Sequence, residues 1–296
     1  MYRSTSAPSF RFRCLILVPI LLLLSTSAWA APVYSRVEGE AQIAQFPEEA
    51  IYYIQYADFL MSKGNFKEAA RILQKGKAKV TPSADLLVSL GEAYEGQQLM
   101  ARAQSATREA LQVDSEHVRA HVRMGEIYFR LGWNKSGLDS FREAVDLAPE
   151  EDLPKVRLVG GLCEDDQLVA AEDQCLEFIS TNVQSPDLWL SLGQVFEKQE
   201  KRRQAFTTYG QVLTIDPENS QAYARQGRLF CEFGQFESAA SACRRALDLE
   251  PDNALGHAYL GIACAKLGRN DEARIHAEAA EDGGMNMVSV WKIIGN

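Results

Sequence analysis

From Ala50 to Met287 the apolar positions recur every three or four residues in stretches of about a dozen. This is the spacing of one helix face, and the stretches are too long for ordinary strands. Short polar breaks divide them, seen at Lys63-Gly64-Asn65, Leu131-Gly132-Trp133, Phe233-Gly234-Gln235 and Leu267-Gly268-Arg269. Glycine there suits the left-handed backbone that ends a helix. Every second stretch stops near a proline, as at Pro149, Pro217 and Pro251, which cannot donate the next helical hydrogen bond. The predicted unit is helix, turn, helix, stop.

Two columns of small residues set its period. Ala57, Gly91, Gly125, Val159, Gly193, Gly227 and Gly261 stand 34 positions apart, and Ala69, Ala103, Gly137, Ala171, Ala205, Ala239 and Ala273 follow at a constant offset of twelve. Small side chains at two fixed points imply that two helix backbones approach too closely for Leu or Phe. Bulky columns fill the remaining space: Tyr53, Leu87, Trp189 and Tyr223 near the start of the first helix, Leu60, Tyr94, Tyr128, Phe196 and Phe230 near its end.

The period and both kinds of column resemble the tetratricopeptide repeat, over about four fifths of the chain. The resemblance implies an all-α, right-handed superhelical solenoid of seven helix-turn-helix hairpins, at 50–83, 84–117, 118–151, 152–185, 186–219, 220–253 and 254–287, with a short capping helix at 288–296. It also implies a concave face lined by the first helices that binds a protein or peptide.

The fourth unit departs from the pattern. Val159 takes the small position, Leu162 the aromatic one, and Gly160 and Gly161 weaken the first helix by roughly 1 kcal/mol each relative to Ala. Two readings are open: drift in a repeat supported by its neighbours, or a flexible joint between the first three repeats and the last three.

Residues 1–30 read as a secretory signal peptide, with Arg3, Arg11 and Arg13, an apolar run from Leu15 to Leu24, and Ala28-Trp29-Ala30 before Ala31. The run is shorter than the ~20 residues a membrane span needs. Residues 31–49 are expected as a linker. The expected location is the periplasm, with secretion to the medium or retention by an uncleaved leader as alternatives.

Removing three arginines from the 31 basic residues leaves 28 against 40 acidic ones, a formal charge of −12. Nucleic acid would be repelled. Five cysteines remain, and Cys163 with Cys175, and Cys231 with Cys243, share a hairpin spacing; an antiparallel pair sets them on the order of 10 Å apart along the axes, too far for a bridge. They are read as core. His117 and His121 have the i, i+4 spacing of zinc ligands but lack the Glu of a metalloprotease motif. His121 and His257 share the Trp189 column and are read as packing. No metal, cofactor or catalytic residue is expected. Asn134-Lys135-Ser136 is a glycosylation sequon.

The family's groove-lining pattern, projected here, selects an apolar stripe of Ile54, Val88, Val122, Val156, Leu190, Ala224 and Ala258. Beside it run Asp58, Glu92, Glu126, Gly160, Gln194, Arg228 and Ile262. The stripe is expected to grip an amphipathic helix or an extended segment, and Asp58, Glu92 and Glu126 either meet basic residues of that ligand or form a solvated face. The lysine of the family's carboxylate clamp is replaced by Val or Ile, against a chaperone-tail role. Trp133 and Trp291 are candidate surface contacts. The functional expectation is a non-catalytic scaffold for assembling an envelope complex for secretion, pili, polysaccharide export or the outer membrane. Self-assembly into a homo-oligomer, and a thiol- or metal-dependent enzyme, are the alternatives.

The small column carries a direct prediction. Gly193→Leu should destabilise the chain by about 1–3 kcal/mol or more, and thermal melting beside Lys198→Leu checks it; equal melting temperatures would mean that the column does not mark a close crossing.

Overall fold

The computed structural model describes residues 35–81 and 83–295, so the signal-peptide expectation for residues 1–30 lies outside the described residues. Helix α1 (Arg36–Gln45) precedes seven antiparallel hairpins: α2 (Ala50–Ser62) with α3 (Phe66–Lys77), α4 (Ala84–Gly96) with α5 (Met100–Val113), α6 (Val118–Arg130) with α7 (Asn134–Leu147), and α8 (Asp152–Glu164) with α9 (Leu168–Thr181). The series continues with α10 (Pro186–Lys198) and α11 (Arg202–Ile215), α12 (Ser220–Glu232) and α13 (Phe236–Leu249), and α14 (Ala254–Lys266) and α15 (Asn270–Asp282), and ends at α16 (Val288–Ile294). The second helix of each hairpin packs on the first helix of the next, giving an all-α superhelical solenoid.

The close crossing is visible at Gly193. A Cβ there would lie 2.3 Å from Tyr209 Cε1, so only glycine admits the fully buried phenol ring of α11. The turns share one geometry. Gly64, Gly132, Gly234 and Gly268 are left-handed, and so are Gln98, Asp166 and Glu200 at the same place in the other three hairpins. A side chain in that conformation costs on the order of 1 kcal/mol, which the packing of the two helices overrides.

A second recurrent feature ties each hairpin to the loop before it. Tyr53 Oη donates to Pro47 O at 2.9 Å, and ring nitrogens of His121, Trp189 and His257 donate to the carbonyls of Ser115, Val183 and Pro251, each at 2.8 Å and six residues upstream. The column read as packing therefore also satisfies loop carbonyls that helix ends leave open.

The linker expected over 31–49 is a correction: most of it is α1. Ser35 and Glu38 form a capping box, the Ser35 N–H donating to the Glu38 carboxylate at 2.7 Å, and Gly39 lets the helix lie against the Tyr56 ring with Ile43 buried. At the other end Met287 and Val290 are buried on α14 and α15, and the half-buried Trp291 donates to Glu281 at 2.7 Å.

The five described cysteines are free thiols. Burial pushes those of Cys175 and Cys231 up to about 12 and that of Cys264 to about 11. The histidines have separate tasks. His117 caps α6 by accepting from Ala120 N–H and sits 3.1 Å from Asp85. His276, which has no motif partner in the sequence, lies with its Nδ1 2.9 Å from His257 Nδ1.

Because the Pro251 carbonyl can only accept, His257 carries its proton on Nε2, and its Nδ1 accepts from His276 Nδ1–H. Burial first, then His257 and Arg244, lower the pKa of His276, against an opposing pull from Glu272. The folded value therefore lies below the unfolded one. Between them the unfolded chain binds more protons, so this contribution to stability is complete above about pH 6.5 and lost as the pH falls. Urea unfolding across that range should show the loss, and His276→Gln should remove its part of the slope.

Candidate functional site

The concave face is built from side chains at fixed places on α2, α4, α6, α8, α10, α12 and α14. Most of the expected apolar stripe does not line it, although Val156 and Leu190 reach a cleft over α8. Val88, Val122 and Leu190 are 0%, 4% and 8% exposed, and Ala224 and Ala258 are buried as well. Consecutive first helices pack directly on one another, as α2 on α4, α8 on α10 and α12 on α14, and the stripe lies in those seams. Only Ile54 and Val156 remain half-exposed.

The neighbouring charged positions are not free carboxylates either. Glu92 accepts from Arg119 Nη2 at 2.7 Å and from Arg123 Nε at 2.7 Å; Arg123 Nη1 donates on to Glu126 at 2.7 Å, and Arg157 Nε reaches the other Glu126 oxygen at 2.9 Å. Glu95, pushed up by burial, accepts from Arg130 at 2.7 Å. Of the acidic triad, Glu92 and Glu126 are thus saturated from within, and exposed Asp58 alone makes no ion pair among the described residues. A second network lies further along: Glu197 accepts from Arg225 at 2.9 Å with Arg228 at 3.4 Å, and Arg202 pairs with Glu232 at 2.7 Å.

A signal for these pairs was present. Glu92 with Arg123, Glu126 with Arg157 and Glu197 with Arg228 are each separated by 31 residues, one repeat less nearly one helical turn. That offset places the two side chains opposite each other on adjacent first helices.

Beyond Arg157 the ion pairs between first helices stop until Glu197. In α8 the places held elsewhere by Glu92, Glu126 and Arg228 fall to Gly160, and those held by Glu95 and Glu197 fall to Cys163. A cleft of about 800 Å³ opens there. Its floor is Val156, Val159, Cys163 and Leu190, with Phe129 and Phe141 visible past Gly161. These two rings stack with centroids 5.7 Å apart. Gly160 faces open space, with no atom within 4 Å of where its Cβ would stand. Ser191, Gln194 and Gln221 supply neutral polar groups on the far wall. Lys198 Nζ donates to the Cys163 carbonyl at 3.1 Å, bridging α10 to the C-terminal end of α8.

The tetratricopeptide repeat profile matches residues 88–152, 190–254 and 224–287, together more than half of the chain. The chain belongs to the tetratricopeptide repeat family. The matched segments flank 153–189, so the repeat that departs most from the family pattern is the one that forms the cleft. Curated relatives include anaphase-promoting complex subunit 3 of Schizosaccharomyces pombe, 26% identical over 54% of this chain and 24% of its own length. The peroxisomal targeting signal receptor of Candida albicans is 21% identical over 73% of this chain and 38% of its own. The chain thus spans less than two fifths of these relatives. Among solved structures, yeast Tom70 superposes with a TM-score of 0.71 at 16% identity, covering 86% of this chain and 56% of that one. A tetratricopeptide repeat protein from Parabacteroides merdae gives 0.62 at 16% identity, covering 83% and 99%. These two likenesses show the shared solenoid.

Of the remaining candidates, Gln194 lines the cleft and Arg228 is held in the second network. Trp133 is 52% exposed at its turn, with its ring 5.7 Å from that of Tyr128. The sequon residue Asn134 begins α7 and donates its amide to Asp165 at 2.8 Å, so a glycan there would displace an existing contact.

The repeat's arginines and glutamates should matter for stability as one unit. Arg123→Gln leaves Glu92 and Glu126 with incomplete partners in a partly buried setting and should cost about 1–3 kcal/mol; urea unfolding beside the exposed-pair variant Arg142→Gln checks it, and equal midpoints would show that the network adds nothing.

Proposed function

We propose that this chain is a non-catalytic scaffold that holds a segment of a protein partner in the concave cleft over α8, and that it does so in a bacterial cell envelope. The observation that carries the first part is the break in the ion-pair networks at Gly160 and Cys163, which leaves a cleft of about 800 Å³. That volume lies within the ~300–1,000 Å³ range of ligand-binding clefts, and its mix of an apolar floor with a few polar groups is the usual makeup of such sites. Membership of a family of protein-interaction solenoids supports the same reading.

The envelope setting rests on the leader-like pattern of residues 1–30, and a role in assembling an envelope machine follows from a binding module placed there. No motif of a nucleophile, metal set or phosphate loop competes with it, and the raised thiol pKa values oppose thiolate chemistry.

The test is photocrosslinking from within the native envelope. A photoreactive residue at Gln194 should attach one partner protein, while the same residue at Arg142 on the outer face should not. N-terminal sequencing of the purified protein should begin at Ala31. Attachment of only a second copy would establish self-assembly instead, and attachment of nothing at Gln194 would overturn the scaffold reading.

A further inference from the structure

Charge is spread unevenly over the outer layer of the solenoid, where the second helices of the hairpins pack on first helices and turn one face outward. Lys63, Lys67, Arg71, Lys75 and Lys79 recur at every fourth position, and all five are exposed. Residues four apart share a helix face, so Lys67, Arg71 and Lys75 line the outer side of α3, and like charges at that spacing repel one another. From Lys63 to Lys79 there are six basic residues and one acidic residue, a net charge of +5 in a chain that carries −9 as a whole. Internal compensation is small. Arg71 pairs with Glu68 and Lys77 with Glu109, while Lys63, Lys67, Lys75 and Lys79 make no ion pair among the described residues.

The fourth hairpin presents the opposite case. From Leu158 to Glu197 there is no Lys or Arg, and Asp165, Asp166, Glu172, Asp173 and Glu177 fall on α9 and the turn before it. Lys201 reaches Glu172, and the amides of Asn134 and Gln167 reach Asp165. Exposed Asp166, Asp173 and Glu177 make no ion pair among the described residues. Val169 and Leu176 stand four residues before and three after Asp173, on the same outward face, and are 71% and 45% exposed.

The two faces complement each other in charge and in form. Lysine carries its ammonium at the end of a flexible four-carbon stem, so the basic heads of α3 can meet the carboxylates of α9 while their stems cover Val169 and Leu176. Within one chain this does not happen, because α3 belongs to the first hairpin and α9 to the fourth, and the two make no contact. A second copy supplies the missing face.

We propose that two copies of this chain associate through their outer faces, the basic face of α3 in one lying on the acidic, partly apolar face of α9 in the other. The contact is weak and salt-dependent, since exposed ion pairs each add little and are screened. It lies on the side of the solenoid away from the cleft over α8, so paired chains keep their clefts open. The inference goes beyond the scaffold reading and does not depend on it.

The test is sedimentation of the whole mature chain over about 10 to 500 μM. At about 50 mM salt the average mass should rise above the monomer with concentration, and at about 500 mM salt the dissociation constant should be at least about tenfold higher. Lys67→Glu with Lys75→Glu makes both faces acidic, and Asp173→Lys with Glu177→Lys reverses the second face instead. Each of these variants should melt close to the natural chain, because all four positions are exposed, and each should stay monomeric alone. An equimolar mixture of the two should associate again, since every altered face then meets one of opposite sign. Both variants keep an excess of acidic residues, so attraction between net charges does not produce the mixed complex. Glu237→Lys with Glu278→Lys makes the same change of charge at exposed positions elsewhere on the outer layer and should leave association intact.

A natural chain that stays monomeric throughout, association that survives either reversal, or a mixture that stays apart would each overturn the proposal. Binding of a monomeric chain to phosphatidylglycerol vesicles, lost with Lys67→Glu and Lys75→Glu, would overturn it in favour of an anionic membrane as the occupant of α3. Capture of a different protein at Gln194 is independent of all these results, so the scaffold reading stands or falls separately.

Discussion

The structure depends on one steric constraint: two helices of a hairpin cross so closely that a single methyl group at Gly193 would enter the Tyr209 ring, and Gly or Ala holds the same place in every hairpin but the fourth, where Val159 stands. Close crossing fixes the hairpin's shape, and identical hairpins can stack in only one way. Stacking in turn sets the first helices side by side. Their seams bury Val88, Val122 and Leu190, and only the residues beside the seams reach the concave surface. The same packing holds Gln98, Asp166 and Glu200 in left-handed turns that their side chains oppose.

Charge on that surface follows a different rule from charge on the rest of the chain. A carboxylate near the axis of the solenoid is partly withdrawn from water, and an arginine one helix away is the nearest compensation. The result is a continuous chain of pairs from Arg119 through Glu92, Arg123 and Glu126 to Arg157, and a second one around Glu197 and Glu232. Neither network presents an unpaired field to a ligand. The opening lies where the networks cannot continue, because Gly160 has no side chain and Cys163 has no charge.

The fourth repeat, read in sequence as either drift or a flexible joint, packs continuously with its neighbours. Its neighbours supply the stability that two glycines in α8 remove. Val159 still closes the core at 1% exposure, and Leu158 and Leu162 join the same cluster, which runs unbroken from α6 to α12. A repeat that is weak alone can keep its place in a solenoid, since each unit is held from both sides.

Local sequence determined the helices, the turns and the stacking, because each depends on residue types at spacings shorter than one repeat or equal to it. Gly91 and Ala103 need no knowledge of distant residues to declare a close crossing. The capping box of Ser35 and Glu38 was equally local and would have revealed α1. Tertiary structure alone decided which of the groove positions are open: Val122 looks the same in sequence whether it faces solvent or a seam, and the pairing of Glu126 with Arg157 left only a 31-residue offset as its trace. The reason is that exposure and ion pairing are set by the neighbouring repeat's backbone, whose distance and tilt no residue pattern within one helix specifies.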